Sequence, residues 1–290
     1  MTQLLSDSYH CSEYFEKHRV QPVKKILIAA GLVALTVPAM AADMAVKAPL
    51  APPVPVWTWT GFYVGGNIGY GWSDRNSTIV APDAASIAFF GGTLAAGALP
   101  SVYNPRPSGV LGGAQAGYNW QVNKVVFGIE GDIQGADVRG SNTILTSGVG
   151  GFVPITATAT ERLDWFATAR GRIGLAASSA LFYVTGGAAY GQVNHSLFAA
   201  APAIPQSAGG SRTSTDAGYV VGAGVEWAFN KNWSVKGEYL YMDLGNHNTI
   251  ASGISGTPAG ATLVMTSREQ YNIVRAGLNY KFGGPVFAKY

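Results

Sequence analysis

Cysteine is nearly missing from this 290-residue chain: the one thiol, Cys11, lies close to the N-terminus. Without a second cysteine there is no disulfide framework and no thiolate cluster to hold a metal. Charge is scarce too, at 12% Asp, Glu, Lys and Arg, about half the share usual for a soluble domain. The net charge of +3 is small and scattered, which excludes the basic footprint of a nucleic-acid binder. Beyond the N-terminal region no run of about 18 apolar residues occurs, which excludes a helical membrane span. What is abundant excludes disorder: 48% of residues are hydrophobic, 11% are aromatic, and 38 are glycine.

The N-terminus reads as an address. Lys24 and Lys25 precede the uncharged run Ile26 to Val37, and Pro38-Ala39-Met40-Ala41 follows. That order is the basic region, apolar region and small-x-small cleavage site of a secretory signal, so residues 1–41 are expected to be a signal region cut after Ala41. Residues 1–22 are polar and fit poorly in front of a signal, which suggests a mis-called start with Val23 at the true initiator. Residues 42–56 carry Pro49, Pro52, Pro53 and Pro55 and read as an extended periplasmic linker. Residues 57–283 are then the folded domain, and 284–290 a C-terminal tail.

From Trp57 onward the dominant signal is period two, in eight segments. Phe62, Val64, Ile68, Tyr70 and Trp72 oppose Tyr63, Gly65, Asn67 and Gly71, while Tyr118 and Ala116 oppose Gln115 and Asn119. Phe127, Ile129 and Ile133 oppose Glu130 and Asp132. Leu163, Trp165, Ala167, Ala169 and Ile173 oppose Asp164, Arg170 and Arg172. The fifth segment, Ala180 to Val193, is rich in Gly and Ala and ambiguous in facing. Tyr219, Val221, Val225, Trp227 and Phe229 oppose Glu226; Trp233, Val235, Tyr239 and Tyr241 oppose Lys236 and Glu238. Val274, Leu278, Tyr280 and Phe282 oppose Arg275 and Lys281. Such alternation makes strands with one apolar and one polar face.

Every one of those strand charges falls on the polar parity. A soluble barrel would point its charges outward and fill its interior with apolar residues, and no amphipathic helix of adequate length is read in the sequence to cover the apolar band. Lipid is the better partner for that face. Three short turns, at Trp120 to Lys124, Leu175 to Ser179 and Asn230 to Asn232, alternate with four long links at Ser73 to Arg106, Asp137 to Thr160, Asn194 to Thr215 and Leu244 to Gln270. The pattern predicts an all-β fold: an eight-stranded antiparallel transmembrane up-and-down β-barrel, with short periplasmic turns and external loops. The links have few anchoring residues and are expected to be mobile. Aromatics gather at two depths. Phe62, Tyr118, Trp120, Phe127, Trp227, Phe229, Trp233, Tyr280 and Phe282 lie near the periplasmic ends, and Tyr70, Trp72, Trp165, Tyr219, Tyr239 and Tyr241 near the outer ends. Two such girdles mark the lipid–water interfaces.

The segments Trp59 to Gly71, Phe127 to Asp132, Ala169 to Gly174 and Val274 to Phe282 resemble the small alpha-proteobacterial outer-membrane surface proteins, related in architecture to the OmpA transmembrane domain. The resemblance covers the signal and nearly all of the mature chain, and weakens in the four long links. It implies a barrel in outer-membrane lipid and lipopolysaccharide, inserted by the barrel-assembly machinery. The assembly signal would be the last strand, with Leu278, Tyr280 and Phe282, although eight more residues follow Phe282. It also implies roles in envelope integrity, surface antigenicity and, in some members, haemin binding, none with a motif to carry over.

Glu130, Asp132, Asp164, Glu226 and Glu238 balance Arg170, Arg172, Lys236, Arg275 and Lys281. An eight-stranded lumen is just wide enough for side chains, so these charges are expected to form an interior ion-pair network. The alternative is the constriction of a small pore. His195 and His247 lie in long links, where lone histidines are usually solvated, though they would suit axial haem ligation. His195-Ser196 is adjacent in sequence, but strand neighbours point to opposite faces, against a hydrolase pair. No phosphate-binding, dinucleotide-binding or metal-ligand spacing occurs, and no enzyme, cofactor or metal is expected. The sequence therefore predicts a structural envelope barrel with surface display, a narrow diffusion channel or a haemin-binding surface protein being the alternatives.

Overall fold

The computed structural model describes residues 57–283; the signal region, linker and tail lie outside the described residues. Ten antiparallel strands form one sheet. They are β1 (Gly61–Trp72), β2 (Ser77–Val80), β3 (Val102–Tyr103), β4 (Ser108–Val122), β5 (Val125–Leu145), β6 (Thr156–Ala177), β7 (Ala180–Ala201), β8 (Gln206–Ala228), β9 (Trp233–Ser255) and β10 (Thr262–Lys281). Strands β4 to β10 pair each with the next, and β1 pairs with both β4 and β10, so the sheet closes on itself. The count exceeds eight because two wall positions are interrupted. β2 resumes the place of β1 along β10, where Thr78 pairs with Thr266, and β3 pairs with β2 above the start of β4. Pro105 and Pro107, which have no amide hydrogen to donate to a ladder, separate β3 from β4.

The short turns are tighter than the sequence indicated. Asn123 and Ser178 take positive φ, 55° and 57°, in two-residue connections between paired Val122 and Val125 and paired Ala177 and Ala180. Such turns match the twist of a hairpin. At the third turn the Asn230 side chain accepts from the amides of Asn232 (2.9 Å) and Trp233 (2.8 Å).

At the opposite end the expectation of four long mobile loops is corrected. Strands β5 to β10 run well past the aromatic level and leave only residues 146–155, 202–205 and 256–261 as tips. The first link folds into a helix, α1 (Ala84–Ala95), which the sequence reading missed. The Asp83 carboxylate caps it, accepting from the Ser86 amide at 2.9 Å. Phe90 of α1 packs with Ile79, Leu99, Tyr103, Leu197, Leu263 and Met265 inside that end of the barrel, so the helix plugs the mouth and leaves the outer apolar belt bare.

Burial explains why the longer strands were hidden. Between the two aromatic levels the outward face is apolar: Ile68, Ile129, Ile133 and Val184 are each more than half exposed. Bare apolar area on this scale around a whole barrel is suited to hydrocarbon, not water. Beyond the second level the faces exchange character. On β10 the outward residues pass from Leu278, Ala276 and Val274 to Arg268 and Thr266, while the inward ones pass from Asn279 and Arg275 to Met265 and Leu263. Apolar parity reverses there, which ends a period-two pattern read along one face.

Bulges help the crossing. Asp164 is an extra residue in β6 with no partner on β7, between paired Leu163 and Trp165. It turns Leu163 fully inward, which corrects the expected outward facing of that residue. The ambiguous fifth segment faces inward through Leu181, Tyr183, Thr185, Ala189 and Val193. Arginine placed in the belt by Ile133→Arg is expected to cost about 2–4 kcal/mol of folding free energy in lipid vesicles, read by urea unfolding. The same change outside the belt, Thr160→Arg, is expected to leave the midpoint nearly unmoved.

Candidate functional site: the barrel interior

The inward positions of the belt carry four acids, Glu130, Asp132, Glu226 and Glu238, and four bases, Arg170, Arg172, Lys236 and Arg275, all buried. Arg170 on β6 sits at the centre. It donates to Glu238 and Asp132, both at 2.9 Å, and to Glu130. Lys236 holds both Glu130 oxygens at 2.8 and 3.0 Å. Arg275 reaches Glu238 at 2.7 Å and Asp132 at 3.1 Å. Nearer the short turns, Arg172 donates to Glu226 (3.1 Å) and Asn119 (2.8 Å), between the rings of Tyr63 and Tyr183. Tyr63 donates to Glu130 at 2.6 Å and Thr168 to Asp132 at 2.7 Å. Every carboxylate thus has a cation and at least one further donor, the condition under which buried charge is tolerable.

Glycines make room for these side chains. A Cβ on Gly117 would stand 2.3 Å from the Tyr63 hydroxyl, and one on Gly128 3.0 Å from the Arg172 Nε. Above the network, Leu111, Val138, Leu163, Phe166, Val193, Val220, Leu240, Met242 and Ile273 form an apolar layer across the interior.

Two charges assigned to the network lie elsewhere. Asp164, lifted from the inward row by its bulge, pairs with Arg162 (2.6 Å) and accepts from Asn194 near the barrel exterior. Lys281 lies at the short-turn mouth, where it donates to the Thr58 carbonyl and covers the Trp57 ring at 4.0 Å. None of the fifteen aromatics assigned to the girdles is buried. At the short-turn level Phe62 touches Phe282, Trp233 touches Tyr280, and Trp227 touches Phe229. At the other level Tyr219 meets Tyr241, and Trp165 meets Tyr190, which the sequence reading did not assign. The backbone of Phe282 bonds to the Phe62 carbonyl at 2.8 Å, next to the β1–β10 closure that carries Leu278 and Tyr280.

A second polar cluster lies above the apolar layer, among residues expected in loops. His195 on β7 is buried and points inward, while Ser196 takes the opposite face of the strand. His195 Nε2 stands 3.0 Å from Glu269. Tyr271 Oη lies 2.8 Å from both Glu161 and Glu269. Burial and the neighbouring Glu269 hold the Glu161 carboxyl well above the usual carboxylate range. Burial raises Glu269 as well, but His195 and the Tyr271 hydroxyl more than offset it and leave it low. Glu269 goes unread because it sits inside the last long link, and Glu161 because it falls between the link ending at Thr160 and the alternating segment that starts at Leu163. Continuing the β10 parity from Arg275 through Ile273 and Tyr271 would have reached Glu269.

Residues 27–282 match the family model described as Outer membrane protein beta-barrel domain. A 31 kDa outer-membrane immunogenic protein of Brucella melitensis is 37% identical over 265 residues, spanning 90% of this chain and all of that protein. A 25 kDa outer-membrane immunogenic protein of Brucella abortus is 26% identical over 89% of this chain and 97% of its own. Among solved structures, the outer membrane protein OprG of Pseudomonas aeruginosa aligns over 80% of this chain and all of its own, at 13% identity and a TM-score of 0.44.

Removing Arg170 leaves Glu130, Asp132 and Glu238 short of a donor. Arg170→Ala is expected to cost about 3–5 kcal/mol in equilibrium unfolding from vesicles, against at most about 1 kcal/mol for Lys281→Ala.

Proposed function

The chain belongs to the outer-membrane protein β-barrel family, and on that premise we propose that it is a sealed barrel that braces the envelope and displays a folded external surface. It resides in the outer membrane. The observation that carries the proposal is the interior, filled first by the ion-pair network around Arg170 and then by the apolar layer around Phe166 and Leu240. Water and small solutes find paired charges at one level and hydrocarbon at the next. An eight-position ring leaves little bore once its inward side chains are in place.

The external part supports display. Strands β5 to β10 carry the wall beyond the outer aromatics, and α1 with the tips closes it, so a partner outside meets a shaped surface of Thr, Ser and Asn ladders. The two Brucella proteins carry immunogenicity in their names, which suits a surface of this kind. Lipid and lipopolysaccharide would contact the belt, and the barrel-assembly machinery would receive β10 with Leu278, Tyr280 and Phe282. A diffusion channel remains the alternative, with less support from a filled lumen. Haemin binding has less again. The His195 and His247 rings lie nearly parallel, with centroids 6.5 Å apart, and His195 is turned to Glu269.

Planar-bilayer recording separates the two main readings. The refolded protein is expected to add no discrete conductance steps. Regular single-channel steps that vanish when the protein is omitted would replace the sealed barrel with a pore.

A further inference from the structure

The external cluster holds more unsatisfied chemistry than its hydrogen bonds account for. One ring nitrogen of His195, one Glu161 oxygen and one Glu269 oxygen all lie within 4.8 Å of one another, and all three residues are buried. His195 Nε2 and Glu269 Oε1 stand 3.0 Å apart, yet neither has a hydrogen-bond partner; the pair is misaligned for one. Tyr271 has a single hydroxyl proton and faces a carboxylate on each side at 2.8 Å. Two carboxyl groups and an imidazole nitrogen therefore converge on one point, with His195 Nε2 and Glu269 Oε1 buried and unpartnered.

The wall beside the cluster is incomplete. β8 and β9 pair up to Tyr219 and Asp243 and again from Gly209 and Ser252, but no backbone ladder joins the stretch between. Arg212, directly opposite His195 on β7, is exposed at this seam and donates to the Asn248 carbonyl at 3.2 Å. Asp216 lines the seam, 3.5 Å from His247 Nδ1, and its Oδ2 atom has no hydrogen-bond partner. The rings of His247 and His195 then stack. A polar path thus runs from the seam through Asp216 and His247 to the buried site.

We propose that Glu161, His195 and Glu269 form a binding site for one divalent first-row metal ion of the zinc class, entered through the β8–β9 seam. One nitrogen and two carboxylate oxygens suit zinc, whereas calcium and magnesium favour all-oxygen shells. The 3.0 Å separation of His195 Nε2 and Glu269 Oε1 is close to the edge of a polyhedron with bonds of about 2.0–2.2 Å. A divalent ion balances the two carboxylates, with Tyr271 orienting both from outside the ligand set. Because the three ligands come from β6, β7 and β10, the ion would tie the external wall together across its interior. Arg212, paired with His195 across β7 and β8, has its side chain turned out to the Asn248 carbonyl.

The full chain, refolded in detergent micelles and stripped with EDTA, is titrated with zinc chloride by calorimetry. One zinc per chain is expected, weakened more than about tenfold in His195→Gln and Glu269→Gln and retained in His247→Gln. Cobalt(II) loading of the unaltered protein gives a second readout that needs no variant to fold. Visible d–d bands of a low-coordinate site, displaced by zinc, support the assignment. Absence of saturable zinc binding and of those bands, or zinc binding that survives both ligand substitutions, overturns it. So does loss of binding in His247→Gln with the barrel still folded.

Discussion

The structure depends on mutual neutralisation inside the wall. Four carboxylates and four cations are packed into the interior, each more than nine-tenths buried, and each would be prohibitively costly there alone. Arg170 makes the arrangement possible because its planar fork serves three carboxylates from two other strands, β5 and β9, at once. Once those charges pair across the lumen, opposite sides of the ring are tied together. The inward glycines that leave room for these side chains and the Tyr63 and Tyr183 rings that flank Arg172 belong to that filling.

The second organising feature is the exchange of faces at the outer aromatics. Within the belt the solvent is hydrocarbon, so apolar residues face out and ionised ones face in. Beyond it the solvent is water, so Thr160, Arg162 and Arg268 face out while Leu197, Leu263 and Met265 face in. A single strand obeys both rules by keeping its pleat and changing its composition. The bulge at Asp164 and the positive-φ residue Gly245 (φ 93°) fall close to the change, where they re-aim side chains as the wall leaves lipid. The result is an interior whose ion-pair network is separated by the layer around Phe166 and Leu240 from an external part that holds the Glu161–His195–Glu269 cluster and the apolar packing around Phe90.

That exchange also decides how much was legible in the sequence. Within the belt, period-two reading placed strands, aromatics and eight of the ten lumen charges, because one solvent acts on one face throughout. Asp164 was misread because one inserted residue shifts parity without any local signature. The external strands read as loops in the sequence because their apolar face is the opposite one, and Thr, Ser and Ala dilute the contrast. Helix α1 was lost in a segment rich in Ala and Gly, where propensity alone decides little. Glu161, His195 and Glu269 come from three separate segments and meet only through closure of the ring, which no local pattern states.

The proposal of a sealed, displaying barrel stands on one claim: the inward positions of the belt are dry. Thr185 faces inward at the level of the network, and the chain's single cysteine is Cys11. Labelling of a Thr185→Cys, Cys11→Ser variant by a small charged methanethiosulfonate, in liposomes, tests this most directly. A thiol that stays unreacted in the folded barrel and reacts fully after denaturation is the predicted result. Complete labelling of the folded protein within minutes would mean a water-filled lumen and would contradict the account.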